Sequence, residues 1–597
     1  MSTLNQPEHI LVCVAWPYAN ADIHQGNVTG SYLPADIYAR YHRLRGNLVL
    51  MVSGSDSHGT PVTVKAEEQG KTAQEVFQYY HQRFLQLFMQ LGLHYDLFTH
   101  TDTDNHYQVS QDIFLALLHN GYLYRQITAQ MYSPTSNKFL PDRYVEGTCP
   151  NCGYTRARGD QCDNCNTLFQ SASELVNPRS KQDDTALELR DTEHYFLDLE
   201  KLAQDGLADW IQDDKEHWRP QVINFARNLI LNEGLHGRAI TRDMDWGIEV
   251  PMPGWEGKVL YVWFEAVIGY LSASIEWAKN NGQPEAWKNW WYNPAARTVY
   301  FVGKDNIPFH AIIWPAQLLG AKRLYETDES KRLNLPYDVP ANEFMNMEGR
   351  KISGSHNWGV WMLDALTRHD PDPLRYYLTV VMPETRDSDW SWEGYVERNN
   401  AELVANWGNL VNRVLSMTRR YFKGIVPDPG PVTARETDLL AEIDAGFAAI
   451  GDLYDGCKFR AAMKEAMALA TRVNQYLEET SPWTTAKTDR PSTARSLYTA
   501  LQAINGLKVL FAPVTPFTSE RLHAYLGEPG QLFGVGKVAT YHEGRGDHTA
   551  LTYDDQGAVG RWQRAEIPAG RQLPPPAPLF KKLEADVVAD ELARLGR

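Results

Sequence analysis

The chain is short of cysteine: six in 597 residues, too few and too unevenly spread for a disulfide scaffold. It has no long apolar run. No stretch approaches the ~18–20 consecutive apolar residues that a membrane span requires. The leading Met-Ser-Thr-Leu-Asn-Gln-Pro-Glu-His has neither the basic region nor the long apolar core of a secretory signal. A cytoplasmic location without membrane association is expected. A basic excess is missing too: 58 Lys and Arg stand against 74 Asp and Glu, a net charge of −16. That balance argues against DNA as a partner, but leaves open binding of another nucleic acid through a local basic face. Disorder is excluded by 43% hydrophobic and 11% aromatic residues, which supply enough apolar surface to build cores. At this length two to four domains are expected.

What is present divides the chain into an alternating front and a helical back. Residues 9–15 form a short β-branched apolar run bounded by Pro17 and read as a buried parallel strand. Residues 32–45 have helical composition, 47–53 form a second apolar run ending in Gly54-Ser55-Asp56-Ser57-His58-Gly59, and 72–91 are helical again. Strand and helix in alternation, with loops at the strand ends, predict a doubly wound parallel α/β sheet. The alternation resumes at 298–302, before Gly303-Lys304-Asp305. Between lies a polar region with few long helical periods, read as an insertion. Beyond about 396, residues 401–423 place Leu403, Val404, Trp407, Leu410, Val411 and Val414 at helical spacing, and Gly424 ends the run. Val426-Pro-Asp-Pro-Gly-Pro431 cannot be helix. Amphipathic stretches at 434–453, 458–480 and 492–512 predict a helix bundle. After Pro574-Pro575-Pro576 a last helix is expected over 579–595.

Four of the six cysteines cluster. Cys149 and Cys152, then Cys162 and Cys165, are two CxxC pairs separated by nine residues. Two such pairs complete a tetrahedral thiolate shell, and zinc fits better than iron or a redox dithiol. Gly153 and Asn164 suit the tight turns. A shell of four thiolates leaves no open coordination position, so one structural zinc is expected. Cys13 and Cys457 are read as core residues.

Two short segments far apart carry the chemistry. His24-Gln25-Gly26-Asn27 follows the turn Ala15-Trp16-Pro17-Tyr18-Ala19-Asn20. A helix starting there would place His24 and Asn27 together at its N-terminus, where free N–H groups favour an anion. More than 300 residues later comes Lys351-Ile352-Ser353-Gly354-Ser355. The pair resembles the HxGH and KMSKS signatures of class I aminoacyl-tRNA synthetases, with Asn27 in the fourth place of the first and Gly354 where the second has lysine. Further segments follow in the order of the methionyl-tRNA synthetase family: Gly54-Ser-Asp-Ser-His-Gly-Thr-Pro61, Tyr261-Val-Trp-Phe-Glu-Ala-Val-Ile-Gly-Tyr270 and Gly303-Lys-Asp-Asn-Ile-Pro-Phe-His310. The resemblance covers nearly the whole chain.

It implies a Rossmann-like catalytic domain in two halves (1–119 and 251–340), a connective insertion with a zinc knuckle (120–250), a KMSKS-like loop and stem-contact region (341–395), a helical anticodon-binding domain (396–540) and a C-terminal extension packing back (541–597). Residues 176–195 look like a second knuckle that has lost its cysteines. The reaction implied is activation of methionine by ATP with magnesium, then transfer to initiator and elongator methionine tRNA. His24, Asn27 and Lys351 would be catalytic. His24, Gly26, Asn27, Lys351, Ser353 and Ser355 would hold ATP. Asp56 would anchor the methionine ammonium, and Ala15, Trp16, Tyr18, Trp263, Ala266, Tyr270 and His310 would line its side-chain slot, with Tyr18 and His310 offering hydrogen bonds to the sulfur. Trp16 replaces the Leu often found in the family, and Arg242 is expected to pair with a pocket carboxylate. Asn409, Arg413 and Trp483 match the anticodon-reading positions, with Arg419, Arg420 and Lys423 continuing a basic stripe. A length of 597 leaves little room for the editing insertion of the leucyl, isoleucyl and valyl enzymes, and a closed four-cysteine site does not suit the cysteinyl enzyme. A paralogue that only binds tRNA is the rival class, motivated by Gly354. With no β-barrel module after the tail, a monomer is expected.

Overall fold

A computed structural model describes residues 6–141, 144–159, 162, 164, 165, 167, 169, 172–181, 183–354 and 356–596. Its centre is a six-stranded sheet. β1 (His9–Val14), β2 (Leu48–Ser55) and β3 (Leu97–His100) run parallel in chain order outward from one side of β1. An insertion intervenes, built on β4 (Leu123–Ser133) and β5 (Glu188–Leu197). The chain then returns as β6 (Arg297–Phe301), which pairs in parallel with the other side of β1, Ile10 opposite Arg297 and Val14 opposite Phe301. The order of strands therefore reverses at β1, the place where open α/β sheets form their ligand crevice.

Burial follows the two-residue period of these strands. Ile10, Val12 and Val14, with Met51, Val299 and Phe301, face one core with helices α1 (Leu33–Leu44) and α2 (Ala73–Leu91). Leu11 and Cys13, with Leu50, Val52 and Tyr300, face the other, with α3 (Asp104–His119), α4 (Gly269–Asn280) and α5 (Trp314–Ala321). Both faces are covered, which explains why β1 reads as a continuous apolar run. Cys13 and Cys457 are buried, as core residues should be, and burial raises both thiols well above their usual range.

The insertion pairs β4 with β5 over ten residues, from Leu123 opposite Leu197 to Tyr132 opposite Glu188. A three-stranded sheet of Val145–Thr148, Ala157–Arg158 and Val176–Ser180 stands beside the cysteines. The segment expected to be a second, cysteine-free knuckle, 176–195, contributes the strand Val176–Ser180 and, from Glu188, most of β5. The insertion is also more helical than its composition suggested, with turns of helix over 199–212 and 220–233.

The back half is helical: α6 (Asn409–Phe422), α7 (Ala434–Asp455), α8 (Phe459–Thr480), α9 (Arg490–Phe511) and α10 (Pro516–Tyr525). A buried charge cluster ties this half to the sheet. Arg375, fully buried, donates to Asp36 on α1 at 2.6 Å and to the backbone of Leu91, Pro513 and Val514. Burial opposes ionisation of Asp36, but Arg40 and Arg375 hold its carboxyl far below the usual range.

Two features of the C-terminal end differ from the reading of the sequence. Residues 535–540 are not helical. They open the hairpin β7 (Val535–Glu543) and β8 (Gly546–Asp554), whose second strand pairs antiparallel with β3 and extends the sheet to six. The last helix is also shorter, α11 (Asp586–Leu592). The stretch before it stays extended because the side chains of Asn399 and Asn400 take its backbone: Asn399 donates to Lys581 O, and Asn400 donates to Leu583 O and accepts from Leu583 N.

Candidate active site

The first signature begins a helix, and its residues form that beginning. His24 is the N-cap of a helix that runs from Gln25 through a wider π turn at Val28–Tyr32 into α1. His24 Nδ1 accepts from Asn27 N at 3.3 Å, and Asn27 Oδ1 accepts from His24 N at 3.1 Å. This reciprocal cap satisfies two of the helix's otherwise orphaned donors. It also fixes the His24 tautomer, since an Nδ1 that accepts leaves the ring proton on Nε2. Burial pushes the His24 pKa down to about 4, so the ring is a neutral donor. The Asn27 side chain is exposed, with its NH2 group directed to no cap bond.

The second signature lies directly against the first. Gln25 N donates to Val360 O at 3.0 Å, Gln25 Oε1 accepts from Val360 N at 2.8 Å, and His24 bridges to Trp361. The Trp361 ring stands edge-on to His24 at 5.8 Å. Gly26 has its reason here: a Cβ would lie 2.9 Å from Ile352 Cδ1 and 3.1 Å from the His24 ring. Lys351 is exposed on a two-residue strand paired with Met345–Met347. Gly354 is exposed, and a Cβ there would meet only Trp361 Cη2, at 3.7 Å. Ser353 Oγ lies 2.9 Å from His356 Nδ1, and the Arg350 guanidinium sits over Trp358 at 4.8 Å. Ser355 lies outside the described residues. The contacts made by Gln25, Val360 and Trp361 were not foreseen: Gln25 was read only as part of the first signature, and no local pattern pairs it with Val360.

A cavity of about 290 Å³ opens at the ends of β1, β2 and β6, and all eight residues expected around methionine line it: Ala15, Trp16, Tyr18, Asp56, Trp263, Ala266, Tyr270 and His310. Val267, Asp305, Asn306 and Phe309 complete it. The backbone bridge between Tyr18 and Asp56 carries the β1–β2 pairing past the strands and brings both residues into the wall. Tyr18 Oη accepts from Trp263 Nε1 at 2.5 Å, and Phe309 packs edge-on against Trp263 at 4.5 Å. The bulk of Trp16 is accommodated by glycines on either side: a Cβ would lie 2.2 Å from its ring at Gly54 and 2.6 Å at Gly269.

His310 differs from expectation. His310 Nδ1 bonds Asn306 O at 2.9 Å and so must donate, which leaves Nε2 to accept from Tyr270 Oη at 2.7 Å. With both nitrogens engaged, and burial lowering its pKa to about 4, His310 orients Tyr270 and has no N–H for a ligand. Arg242 sits over the Tyr261 ring at 3.8 Å and donates to Ala239 O and Thr241 O.

Beneath Asp56 lies a polar network the sequence did not reveal. Glu265, fully buried, takes His58 Nδ1 at 2.8 Å and His106 Nε2 at 2.6 Å. These partners overcome burial and keep Glu265 ionised. Asp56 accepts from His58 N at 3.3 Å, which does not offset its surroundings. Burial first, and the Glu265 charge second, raise its pKa well above the carboxylate range. A cation entering the cavity therefore meets a buried carboxyl whose ionised form its charge would stabilise.

The four cysteine sulfurs lie within 4.8 Å of one another. Cys149 and Cys165 are 3.7 Å apart, Cys152 and Cys162 3.6 Å. A tetrahedral shell with metal–sulfur bonds of about 2.3 Å has edges of about 3.8 Å; these two edges match it, and the four-cysteine set could hold a zinc ion. The Asn151 and Asn164 amides point to Cys165 and Cys152 sulfurs. Gly153 takes φ 73° in the first turn.

In the helical half, Asn409 and Arg413 lie one turn apart on α6, and the Arg413 guanidinium stacks 5.0 Å over the Trp483 ring while bonding Glu478 at 2.7 Å. Trp483 remains 36% exposed, enough for a second ring to lie on it. Arg419, Arg420 and Lys423 are exposed further along. Among the described residues, no helix is long and apolar enough to cross a membrane.

Comparison with known proteins shows the family. The family model for class I (M) tRNA synthetases matches residues 10–415, and that for the anticodon-binding domain of methionyl tRNA ligase matches 426–536. A methionine–tRNA ligase of Thermomicrobium roseum is 54% identical over 591 residues, 99% of each chain. That of Roseiflexus castenholzii is 52% identical over 599 residues, again 99% of each. Among solved structures, Mycobacterium tuberculosis methionyl-tRNA synthetase in complex with methionyl-adenylate has the same fold, with a TM-score of 0.74 at 24% identity, covering 96% of this chain and all of that one. The chain belongs to the methionyl family of class I tRNA synthetases, the methionine–tRNA ligases.

Proposed function

We propose that this chain activates methionine in the cavity at the ends of β1, β2 and β6 and passes it to methionine tRNA, initiator and elongator. The observation that carries the reading is the meeting of three parts: the 290 Å³ cavity with Asp56 in its wall, the helix N-terminus capped by His24, and the Lys351 loop bonded to that N-terminus through Gln25 and Val360.

Methionine enters with its ammonium on Asp56. Its thioether lies among Trp16, Trp263 and Tyr270, where sulfur–aromatic contacts are worth ~0.3–1.5 kcal/mol each. The Tyr18 hydroxyl, which accepts from Trp263, retains its own proton for the sulfur. ATP binds as its magnesium complex, with Gly26 giving close backbone approach and His24 Nε2 and the Asn27 amide donating to it. A carboxylate oxygen of methionine then attacks the α-phosphorus. The bond from that phosphorus to the bridging oxygen breaks, and pyrophosphate leaves with the electron pair. Lys351, with Ser353 beside it, faces the charge that develops on the phosphates. Such transfers depend on positioning and charge more than on covalent chemistry. In the second step a hydroxyl of the tRNA end attacks the methionyl carbonyl and AMP departs.

Asn409, Arg413 and Trp483 read the anticodon: stacking on the ring and edge contacts from Asn and Arg suit unpaired bases. One zinc held by Cys149, Cys152, Cys162 and Cys165 stabilises the insertion. The protein acts in the cytoplasm as a monomer. The test is aminoacylation by purified protein with ATP, magnesium and transcripts of both methionine tRNAs. Both should be charged, and altering the anticodon should abolish charging. Failure to charge either, by protein that contains zinc by mass spectrometry, contradicts the reading.

A further inference from the structure

Glu591, near the end of the chain, is only 5% exposed. Arg368 donates to it from Nε at 2.6 Å and from an Nη at 3.0 Å, and His369 Nε2 lies 3.0 Å from its Oε1. Burial opposes its ionisation, but His369 and Arg368 hold the carboxyl at about 2. A charge buried and paired in this way, 223 residues from its partner in sequence, anchors α11 against the catalytic half.

The anchor leads back to the ATP site. Arg368 and His369 follow the short helix Met362–Ala365, which begins just after Trp361. Beyond Glu591 the chain turns to the Lys351 loop, and Gly596 N donates to Asn357 O at 2.9 Å. Asn357 is where that loop returns. It adopts φ 46°, and its side-chain oxygen accepts from Trp361 Nε1 at 2.6 Å. Trp361 in turn stands against His24. Asn357, Trp361, Glu591, Arg594 and Leu595 enclose a cavity of about 260 Å³. A continuous line of contacts thus runs from the C-terminal segment through the return of the loop to the capping histidine.

We propose that Glu591 and Gly596 are positioning residues for adenylate formation: Glu591 anchors the segment on Arg368 and His369, and the Gly596 N–H fixes the Asn357 end of the loop that carries Lys351. The proposal rests on Lys351 acting at the phosphates. It assigns the C-terminal segment to the ATP site, where only general packing had been expected. A loop held at its return retains its bearing even though Gly354 contributes no side chain.

The test compares the full chain with a variant lacking Leu595–Arg597 and with Glu591→Gln. Methionine-dependent ATP–pyrophosphate exchange, methionine affinity, thermal midpoint and amide hydrogen exchange over 350–361 are measured for each. Removing the last three residues should lower exchange roughly tenfold through kcat or the KM for ATP, the scale expected of a modest misplacement of a catalytic group. Methionine affinity should stay unchanged and the midpoint move by less than about 2 °C. Amides over 350–361 should exchange faster. Glu591→Gln should give the same pattern more weakly, because it keeps shape and loses charge. Undiminished exchange activity with unaltered loop protection would overturn the proposal. So would a uniform loss in which methionine affinity and thermal midpoint fall together, the mark of a structural role alone. Should the unaltered chain show no methionine-dependent exchange, the functional reading fails, while loop protection still judges the strap.

Discussion

His24 and Lys351 stand on the two segments that meet over the strand ends, and they are held very differently. His24 caps a helix, exchanges two hydrogen bonds with Asn27, and is neutral through burial. Lys351 projects into solvent from a strand of two residues. The first is fixed before any ligand arrives. The Lys351 side chain can swing at little cost because it is exposed, while its loop is held at its return through Asn357 and Val360. A fixed donor set can orient ATP, whereas a mobile cation can follow charge as it develops and then release pyrophosphate. The methionine cavity belongs with the fixed side: Tyr18, Trp263, Tyr270 and His310 are already bonded to one another or to backbone.

Four variants probe this division, and the largest effect should come from the fixed side. Asp56→Asn leaves the methionine ammonium buried without a counter-charge, a loss of ~3–5 kcal/mol, or roughly 200- to 5,000-fold in kcat/KM for methionine. A pH dependence accompanies it. Burial and the Glu265 charge raise the Asp56 pKa in the free protein, whereas the ammonium favours the carboxylate, so binding releases a proton wherever the free carboxyl holds one. Methionine affinity should fall as pH drops through that raised pKa. Calorimetry in buffers of different ionisation enthalpy should detect the released proton in the native chain and not in Asp56→Asn.

Lys351→Ala should lower kcat for exchange by ~10²-fold, since one charge contact to a transition state is worth ~2.7–4 kcal/mol. Methionine affinity, followed by tryptophan fluorescence, should be unchanged, and a parallel loss of affinity would place Lys351 on the fixed side. Gly26→Ala tests the contact between the two segments. Its methyl would crowd Ile352 Cδ1 and the His24 ring, and the KM for ATP should rise by about tenfold, on the scale of ~1–3 kcal/mol for overpacking. Gly354→Lys should change least. Its backbone is not in the left-handed region and its Cβ has open space. A gain of less than about fivefold, or ~1 kcal/mol, is expected. A larger gain would mean that the native loop lacks a charge it needs.

The legible parts of this molecule were those set by local pattern. β1 announced itself because both its faces are buried, and α2 because 72–91 is rich in helix-compatible Gln, Phe and Leu; its Thr72–Glu75 capping box appears only in the structure. The cysteine spacing specified a tetrahedron. The eight cavity positions were recovered because they stand at strand ends and in segments shared with a family. Long-range pairing was not legible. Nothing in 535–554 says that it will add to β3, whose other edge is taken by β2. The Glu265–His58–His106 network joins three segments, two of them in the quoted motifs, but nothing within any one segment marks the others as its partners. His310 was misjudged for the same reason: its two partners, Asn306 and Tyr270, decide its tautomer, and only the fold brings them together. The extended run before α11 depended on Asn399 and Asn400, some 180 residues earlier.

The most direct measurement is ATP–pyrophosphate exchange by the purified chain, tested with each of the common amino acids in turn. The account predicts exchange with methionine far above that with any other, lost in both Asp56→Asn and Lys351→Ala, with methionine still bound by the latter. Exchange no greater with methionine than without amino acid, or driven better by another side chain, would contradict it.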